Sequence, residues 1–501
     1  MARTQLSMWK TLFTQHPSHE PTLQGRLRTM IVKAILDGVI TPGTILPSSR
    51  ELSNLLQVSR NTVSLVYQQL SDQQYLEAKP RSGYVVQAMA TLLPSSHQDG
   101  LRNSQAVAWN ARFHKRISEL PNISKPANWQ DYPFPFIYGQ FDVSMFPARE
   151  WRECAIQALR ASAVRDWASD RIDQDDTQLI AQIQQRVLPT RGIWVSKDEI
   201  LVTAGAQQAN YILSEILFDS HTVLGLEEPG YPDVRNIYSS HGAVIQPIKV
   251  DANGLRLSAQ LALCDYVYVT PSHQCPTAVT LPEDQRLRLI EAAKEQDFII
   301  IEDDYDSDLN FDSQPARALK SLDEHGRVIY VGSLSKTIAP GLRAGYMVAD
   351  PALIREARAV RRLMMRHPPM NNERTLALFL SLGHYDMLLR RLTKAYNQRI
   401  QKLSAAIRRE LPQWTFSEPK GGAALWVQGP VNCSMTYLAK KALDSGVIIE
   451  PGNIFFDKPN GKFAARHARL GVASIHESRI DEGIRVLAQV VRQASRDGET
   501  A

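Results

Sequence analysis

The 501-residue sequence predicts an α/β protein, with a doubly wound, mostly parallel sheet that follows a small helical domain. Two observations support this prediction. From Phe136 onward, short apolar strands alternate with helical segments, which is the pattern of strand–helix–strand units. Before them, residues 20–87 contain three segments whose apolar residues recur at helical spacing. A chain of this length exceeds one ordinary hydrophobic core, so we expect two or three domains.

The composition argues against several classes of protein. Hydrophobic residues make up 44% of the chain and charged residues 22%, which is typical of a soluble globular protein. No uninterrupted apolar run reaches the length of about 18 residues that a membrane span requires. The basic N-terminus is not followed by the apolar core of a signal peptide. The four cysteines lie far apart without metal-ligand spacing, so the sequence predicts no metal site and a cytoplasmic location.

The net charge of +5 is concentrated in the first part of the chain. Residues 1–90 hold nine lysines and arginines against five acidic residues, whereas the remaining 411 residues hold 48 against 47. This distribution predicts a polyanionic partner for the N-terminal part alone.

The N-terminal domain is predicted to contain three helices and a β-hairpin. The first helix ends near Gly38, and the second is capped by Ser48 or Ser49. The third helix has an apolar face over residues 63–70, and a hairpin with a basic tip follows over residues 75–86. Four polar residues lie at the outward N-terminal end of the third helix, where a recognition helix reads bases and phosphates: Arg60, Asn61, Thr62 and Ser64.

Three pieces of this region resemble the winged helix-turn-helix domain of the GntR family, over residues 18–87. They read Leu-Pro-Ser-Ser-Arg-Glu-Leu, Val-Ser-Arg-Asn-Thr-Val and Arg-Ser-Gly-Tyr. The resemblance implies binding to double-stranded operator DNA through helix residues and a wing. The implied DNA-binding residues are Arg50, Arg60, Asn61 and Thr62 on the helices, and Arg81, Ser82 and Gly83 in the wing. The alternative is a small helical domain that serves protein contacts.

A linker is predicted over residues 88–130, because the periodicity fails there and proline, serine and glycine interrupt the segment. If it were fully flexible, its ends would lie roughly 35 Å apart. The remaining residues, 131–501, form the predicted second domain.

Five predicted strands of the second domain each lead into a turn with chemically useful residues. Ligands of doubly wound sheets bind at the carboxyl ends of the strands. The first of these turns is rich in small residues and opens a helix, so its backbone amides suit a phosphate. In chain order the five turns contain Gly205 to Gln207, Tyr231, residues 271–277, residues 302–306 and Lys336.

The last turn places one lysine among hydroxyl groups. Lys336 is flanked by Ser333 and Ser335, and a Pro-Gly turn returns Arg343 seven residues later. An amine in such a setting suits imine formation with an aldehyde cofactor, while the hydroxyls and the guanidinium bind a phosphate. The segment from Gly332 to Tyr346 resembles the pyridoxal-phosphate (PLP) lysine segment of fold-type I aminotransferases.

That resemblance implies PLP as the cofactor and a protein partner for each of its groups. Asp303 would keep the ring nitrogen protonated, Tyr305 would bond to the ring hydroxyl, and Tyr231 would stack on the ring. Arg469 would pair with the carboxylate of an amino-acid ligand. The phosphate would be bound by Gly205, Ala206, Gln207, Ser333, Ser335 and Arg343.

The whole chain resembles the MocR (GabR-type) subfamily of GntR regulators. This resemblance implies a head-to-tail homodimer that binds DNA and senses an amino acid, an amine or PLP itself through aldimine exchange at Lys336. The chain departs from the aminotransferase pattern at Cys275, where an asparagine that contacts the ring hydroxyl is usual, and His273 or Gln274 could replace it. Trp167 to Asp170 replace a Tyr-Gly-Asp-Pro segment. Asp233 replaces an arginine of GABA-sensing relatives, which favours a ligand with a positive group.

Three hypotheses follow. The first is a PLP-dependent transcriptional regulator that is not an enzyme beyond residual half-transamination. The second is an active aminotransferase with a regulatory DNA-binding domain. The third is a DNA-binding protein whose enzyme-like domain is a cofactor-free dimerisation scaffold. The attached DNA-binding domain and the departures from the aminotransferase pattern favour the first.

Overall fold

The computed structural model describes residues 8–13, 22–79, 83–87, 107–312 and 316–496. The chain divides into two compact units, Met1–His114 and Lys115–Ala501. Among the described residues, no helix combines the length and the apolar character needed to cross a membrane.

The N-terminal unit contains the predicted helices and hairpin. Its elements are α1 (residues 8–13), α2 (Leu23–Leu36), α3 (Ser49–Leu56), α4 (Arg60–Asp72), β1 (Leu76–Lys79) and β2 (Gly83–Val86). The start of α3 is fixed by a capping box, in which the Glu51 N–H donates to Ser48 Oγ at 3.2 Å and the Ser48 N–H donates to the Glu51 carboxylate at 2.9 Å. Ser59 caps α4 by accepting the Thr62 N–H at 3.0 Å.

A single apolar core holds this unit together. Tyr67 is fully buried, and its hydroxyl donates to the Pro47 carbonyl at 2.8 Å, which ties α4 to the chain entering α3. The two strands pair antiparallel, with Leu76 opposite Val86. The core residues come from all three main helices and both strands: Leu27, Met30, Ile31, Leu52, Leu56, Val63, Val66, Leu70, Leu76 and Val86. Burial of one face of α4 leaves its first turn available to a partner.

The larger unit is built on an eight-stranded sheet. Its strands are β4 (Ile200–Thr203), β5 (Val223–Glu228), β6 (Val244–Asp251), β7 (Gly254–Leu255), β8 (Tyr266–Val269), β9 (Ile299–Asp304), β10 (Val328–Ser333) and β11 (Gly345–Val348). The order across the sheet is β4-β11-β10-β9-β8-β5-β6-β7. The central strands β10, β9, β8, β5 and β6 run parallel, and β11 runs antiparallel to both neighbours. The parallel strands therefore end at one edge, which is where the predicted site residues follow them.

A second sheet of five strands has the order β12-β13-β15-β14-β3. Its strands are β3 (Phe134–Phe136), β12 (Thr415–Phe416), β13 (Ala424–Gln428), β14 (Val447–Pro451) and β15 (His467–Gly471). The antiparallel pairing of β14 with β15 sets Glu450 opposite Arg469.

Helices cover the sheets of the larger unit. Their bounds are α5 (Ala148–Ala158), α6 (Ala161–Trp167), α7 (Thr177–Gln182), α8 (Ala206–Leu217), α9 (Pro232–Ser240), α10 (Glu283–Glu295), α11 (Leu319–Leu322), α12 (Ser335–Ile338), α13 (Pro351–Met365), α14 (Met370–Ser381), α15 (His384–Glu410), α16 (Met435–Asp444) and α17 (Ile480–Arg496). Helix α8 shows why they pack. Its Ala209, Ile212 and Leu213 recur on one face and are fully buried in the cluster that contains Leu201 and Val331. Each buried isoleucine or leucine contributes roughly 1.5–3 kcal/mol.

The segment that precedes β3 contacts the larger unit. Lys115 donates to the Ser240 carbonyl, Asn236 Nδ2 donates to the Pro121 carbonyl at 2.7 Å, and Lys125 Nζ donates to the Tyr138 carbonyl at 3.3 Å. Residues 115–130 of the predicted linker therefore belong to the larger unit and pack against the rest of it. The domain boundaries 18–87, 88–130 and 131–501 remain predictions.

Candidate functional site

A cavity of about 280 Å³ lies where the parallel strands end. It brings together the residues that the sequence assigned to separate turns. The predicted residues that line it are Ala206, Gln207, Tyr231, Asp303, Tyr305, Ser333, Ser335, Lys336, Arg343 and Arg469. Gly205 completes the set, because a Cβ at this position would lie 2.8 Å from an Arg343 guanidinium nitrogen.

One end of the cavity suits a phosphate group. Gly205 has φ +84° and caps α8, whose first two N–H groups, those of Ala206 and Gln207, have no carbonyl partner within the helix. Arg343 approaches this helix start and donates to the Ala204 carbonyl at 2.9 Å. The missing side chain at position 205 leaves room for the guanidinium. A helix N-terminus beside an arginine is an anion-binding arrangement.

Lys336 lies on α12 with its amine against two aromatic rings. Its Nζ is 4.4 Å from the ring centroid of Tyr138 and 5.7 Å from that of Tyr305. Burial, and then the nearby charge of Arg469, lower the pKa of Lys336. A lowered pKa increases the fraction of neutral amine, which is the nucleophilic form. The Ser335 hydroxyl donates to the Ala344 carbonyl at 3.0 Å, so it holds the lysine turn as well as lining the cavity.

Asp303 is a buried carboxylate with one free oxygen. Its Oδ2 accepts the Tyr268 hydroxyl at 2.6 Å and Asn210 Nδ2 at 3.2 Å, whereas its Oδ1 has no hydrogen-bond partner among the described residues. Burial raises the pKa of Asp303 to about 6. An unpaired carboxylate oxygen at the cavity wall fits the protonated ring nitrogen of PLP. The residues present therefore fit this cofactor.

The tyrosines predicted to contact the ring also line the cavity, with their hydroxyls bonded to the protein. Tyr305 donates to the His273 carbonyl at 2.9 Å, and Tyr231 donates to the Asp233 carboxylate at 2.9 Å. Gln274, one of the residues considered as replacements for the usual asparagine, donates to the Pro229 carbonyl at 2.8 Å. Its neighbour Cys275 lines the cavity.

Arg469 lines the part of the cavity where a ligand carboxylate is predicted. Its Nε donates to Glu450 Oε2 at 2.8 Å, and both side chains are buried. The other carboxylate oxygen, Glu450 Oε1, has no hydrogen-bond partner in the described part of the chain. The ion pair orients the Arg469 guanidinium and partly neutralises its charge. The sequence prediction did not include this ion pair.

The residues of the site that the sequence analysis missed include Tyr138, Asn210 and Tyr268. The Tyr138 ring contacts both Lys336 Nζ and Arg469 Cζ at 4.4 Å from its centroid, and its hydroxyl donates to Asp306 at 2.9 Å. It follows β3 by two residues, so the strand-end rule applied to β3 would have indicated it. Asn210 lies one helical turn after Ala206, on the same side of α8.

The acid Glu227, behind the cavity, gives a pH-dependent prediction. It is buried, its Oε2 accepts the Thr270 hydroxyl, and burial raises the pKa of Glu227 to about 7 from the usual 4.5. Between these pH values the folded chain retains a proton that the unfolded chain has lost, so the free energy of unfolding falls as pH rises. Relative to Glu227→Gln, we expect the free energy of unfolding of the wild type to fall by about 3 kcal/mol between pH 4.5 and 7. Urea unfolding across this range measures it, and a parallel pH dependence in both proteins would contradict it. The exposed Glu283→Gln is the control.

The predicted DNA-binding residues lie in the N-terminal unit. Arg60 and Asn61 are exposed in the first turn of α4, together with the half-buried Thr62. Arg50 is exposed in the first turn of α3, and Gly83 begins β2 with φ +82°. The remaining two predicted wing residues, Arg81 and Ser82, lie outside the described residues. The contacts of all the predicted DNA-binding residues with DNA remain predictions.

Comparison with known proteins identifies the family. Residues 23–86 match the model of bacterial regulatory proteins, gntR family, and residues 145–487 match the model of aminotransferase class I and II. The chain is 40% identical to the HTH-type transcriptional regulator TauR of Rhodobacter capsulatus, over 95% of this chain and 98% of that protein. It is 30% identical to the probable rhizopine catabolism regulatory protein MocR of Rhizobium meliloti, over 90% of each. This chain belongs to the MocR-type subfamily of GntR transcriptional regulators.

The fold of this MocR-type regulator agrees with that assignment. The crystal structure of LysN, the alpha-aminoadipate aminotransferase of Thermus thermophilus complexed with N-(5'-phosphopyridoxyl)-L-leucine, matches with a TM-score of 0.71. The match has 25% identity and covers 78% of this chain and 100% of that one. The predicted fold class is confirmed: a GntR-type winged helix-turn-helix and a fold-type I aminotransferase domain. The MocR-type chain therefore has pyridoxal phosphate as its cofactor, as predicted.

Proposed function

We propose that this MocR-type regulator senses an amino acid or an amine by amine exchange on its cofactor at Lys336, and that this exchange alters transcription. One observation carries the proposal. Asp303, the pair Lys336 and Arg343, and Arg469 come from three separate parts of the chain and line the same cavity.

Each side chain has a proposed task. When bound, PLP would supply an aldehyde carbon at which one primary amine can replace another. Arg343 and the start of α8 would bind its phosphate, Asp303 Oδ1 would accept the ring N–H, and Tyr231 would cover the ring face. Lys336 would hold the cofactor through its amine, and the lowered pKa of that amine increases the fraction of it that is neutral and nucleophilic. Arg469 binds the effector carboxylate through the nitrogens that Glu450 does not occupy.

The proposal includes an assembly and a location. Two copies associate head to tail, as fold-type I aminotransferase domains typically form dimers, and the regulator acts in the cytoplasm, where its operator DNA lies. We expect slow half-transamination at most. Incubation of the holoprotein with an amino donor and a keto acid should give no product beyond the amount of cofactor present, and sustained turnover would favour the aminotransferase hypothesis.

Arg60→Ala tests the DNA-binding part of the proposal. Because Arg60 is exposed at the start of α4, we expect its loss to weaken binding to the gene's own upstream DNA by about 10- to 100-fold, equivalent to 1–3 kcal/mol. Gel retardation measures the affinity at fixed salt. Gln69→Ala, exposed near the other end of the same helix, should bind as the wild type does. Equal affinity of the Arg60 variant and the wild type would contradict the assignment of α4 as the recognition helix.

A further inference from the structure

Part of the cavity wall comes from the segment that leads out of the DNA-binding unit. Asn122, Ile123 and Lys125 line the cavity together with Lys336 and Arg469. In sequence, this segment connects the N-terminal unit to β3. An effector in the cavity would therefore contact the first part of the larger unit, which follows the N-terminal unit directly in sequence.

Lys125 is the charged residue of this segment at the cavity. Its Nζ donates to a neutral acceptor, the Tyr138 carbonyl, at the long distance of 3.3 Å. It forms no ion pair with a described residue, although Glu450 and Arg469 are close enough to affect its pKa. Burial lowers the pKa of Lys125, and Glu450 acts in the opposite direction. The half-buried Lys125 ammonium, bonded to this carbonyl, can still form a stronger hydrogen bond to an anion. Charge-assisted hydrogen bonds to an anion are about twice as strong as neutral ones.

The acidic residues Glu450 and Asp233 of the cavity each already have a hydrogen-bond partner on one carboxylate oxygen. Glu450 is paired with Arg469, and Asp233 accepts the hydroxyl of Tyr231. This engagement of Asp233 weakens the sequence-based expectation of a ligand with a positive group. An added anion would meet Lys125 together with the part of the Arg469 guanidinium that Glu450 does not occupy.

The aromatic ring of Tyr138 sets an upper bound on the distance between the two cationic groups. Lys336 Nζ and Arg469 Cζ each lie 4.4 Å from the centroid of this ring, so they are at most twice that distance apart. A short ligand with an amine at one end and an anionic group at the other can span this separation.

We propose that Lys125 and Arg469 together bind the carboxylate of a small amino-acid effector, and that this contact fastens the connecting segment to the cavity. The inference rests on the proposed function and names its ligand class: a short primary amine that carries a carboxylate. Occupancy of the cavity is thereby sensed by the residues that lead to the DNA-binding unit. Lys125 is a specificity residue and a positioning residue for that segment.

The test compares amines with and without a carboxylate on the full-length holoprotein. L-Alanine and β-alanine are titrated against ethylamine, and 4-aminobutyrate against propylamine, while the shift of the cofactor's visible absorption band is followed. For the amino acid that acts at the lowest concentration, Lys125→Met should raise the half-saturating concentration about tenfold and leave that of the matched amine unchanged. Lys115→Met, on the same segment outside the cavity wall, should change neither.

Hydrogen exchange supplies a second readout. The backbone amides of residues 122–125, which lie between Pro121 and Pro126, should exchange more slowly when the amino acid is added to the wild type, and this slowing should be lost in Lys125→Met. If the wild type responds to amino acids and the Lys125 variant responds identically, or loses the amino acid and the amine responses equally, this inference is overturned while the proposed function stands. If no amine shifts the band of the wild type, the proposed function fails and the inference with it.

Discussion

Replacement of Lys336 by alanine is expected to abolish the visible absorption of the purified regulator and its response to amines. Lys336 places an amine of lowered pKa in the cavity that contains Asp303 and Arg343, and no other side chain of its turn can form an imine. The fold should persist, because among the described residues Lys336 Nζ forms no hydrogen bond or ion pair and lies against the rings of Tyr138 and Tyr305. Absorption spectra of the wild type and the variant, both purified with added PLP, measure the effect.

Two further variants make this result specific. Lys336→Arg keeps a positive charge but no amine that can react at neutral pH, so it should also lack the band. Lys294→Ala removes an exposed lysine that pairs only with Glu291 on the same helix, and it should keep the band. A band that survives Lys336→Ala would show that the cofactor is held by another lysine, and the assignment of the site would be wrong.

Arg191→Met should lower the free energy of unfolding of the larger unit by about 3–5 kcal/mol. Arg191 Nε donates to Asp304 Oδ2 at 2.8 Å, and both side chains are buried. Burial alone would raise the pKa of Asp304, but the Arg191 charge reverses this and holds the pKa below its usual range. Without Arg191, the buried carboxylate loses its ion-pair partner. Urea unfolding of the larger unit measures the loss.

The pH dependence of this stability difference follows from the same ion pair of Arg191 and Asp304. Asp304 has a depressed pKa when folded, so its stabilising contribution is present above its unfolded pKa and is lost as pH falls through the folded value. The difference between wild type and Arg191→Met should therefore be largest at neutral pH and should shrink in acid. Arg408→Met, which removes a surface ion pair with Glu418, should cost no more than about 1 kcal/mol. Equal losses in the two variants would contradict the role assigned to burial.

The carboxylates at the end of β9 show what the sequence could predict and what it could not. A strand that ends in Glu302-Asp303-Asp304 indicates a site, and the resemblance assigns Asp303 to the cofactor. Asp303 is the one of these three residues that lines the cavity. The contacts of the neighbouring Glu302 and Asp304 are with residues far from them in sequence. Glu302 accepts the backbone N–H groups of Leu319 and Lys320, and Asp304 pairs with Arg191. Side chains alternate along a strand, but the sequence does not state what each face meets.

The ligand end of the cavity was less predictable for the same reason. Arg469 was identified from its family motif, but its partner Glu450 is set beside it by the pairing of β14 with β15, and no motif records that pairing. Lys125 lay in a segment whose irregular composition predicts a linker. Its place in the cavity wall depends on contacts such as that of Asn236 with Pro121, 115 residues away in sequence.

The central claim is that the cofactor is bound covalently to Lys336 rather than to Lys125, the other lysine at the cavity. Reduction of the holoprotein with sodium borohydride, followed by proteolysis and mass spectrometry, locates the bond directly. We expect one phosphopyridoxyl group per chain, on the peptide that contains Lys336. A modified Lys125 with an unmodified Lys336, or no modified lysine in a protein that shows the visible band, would contradict it.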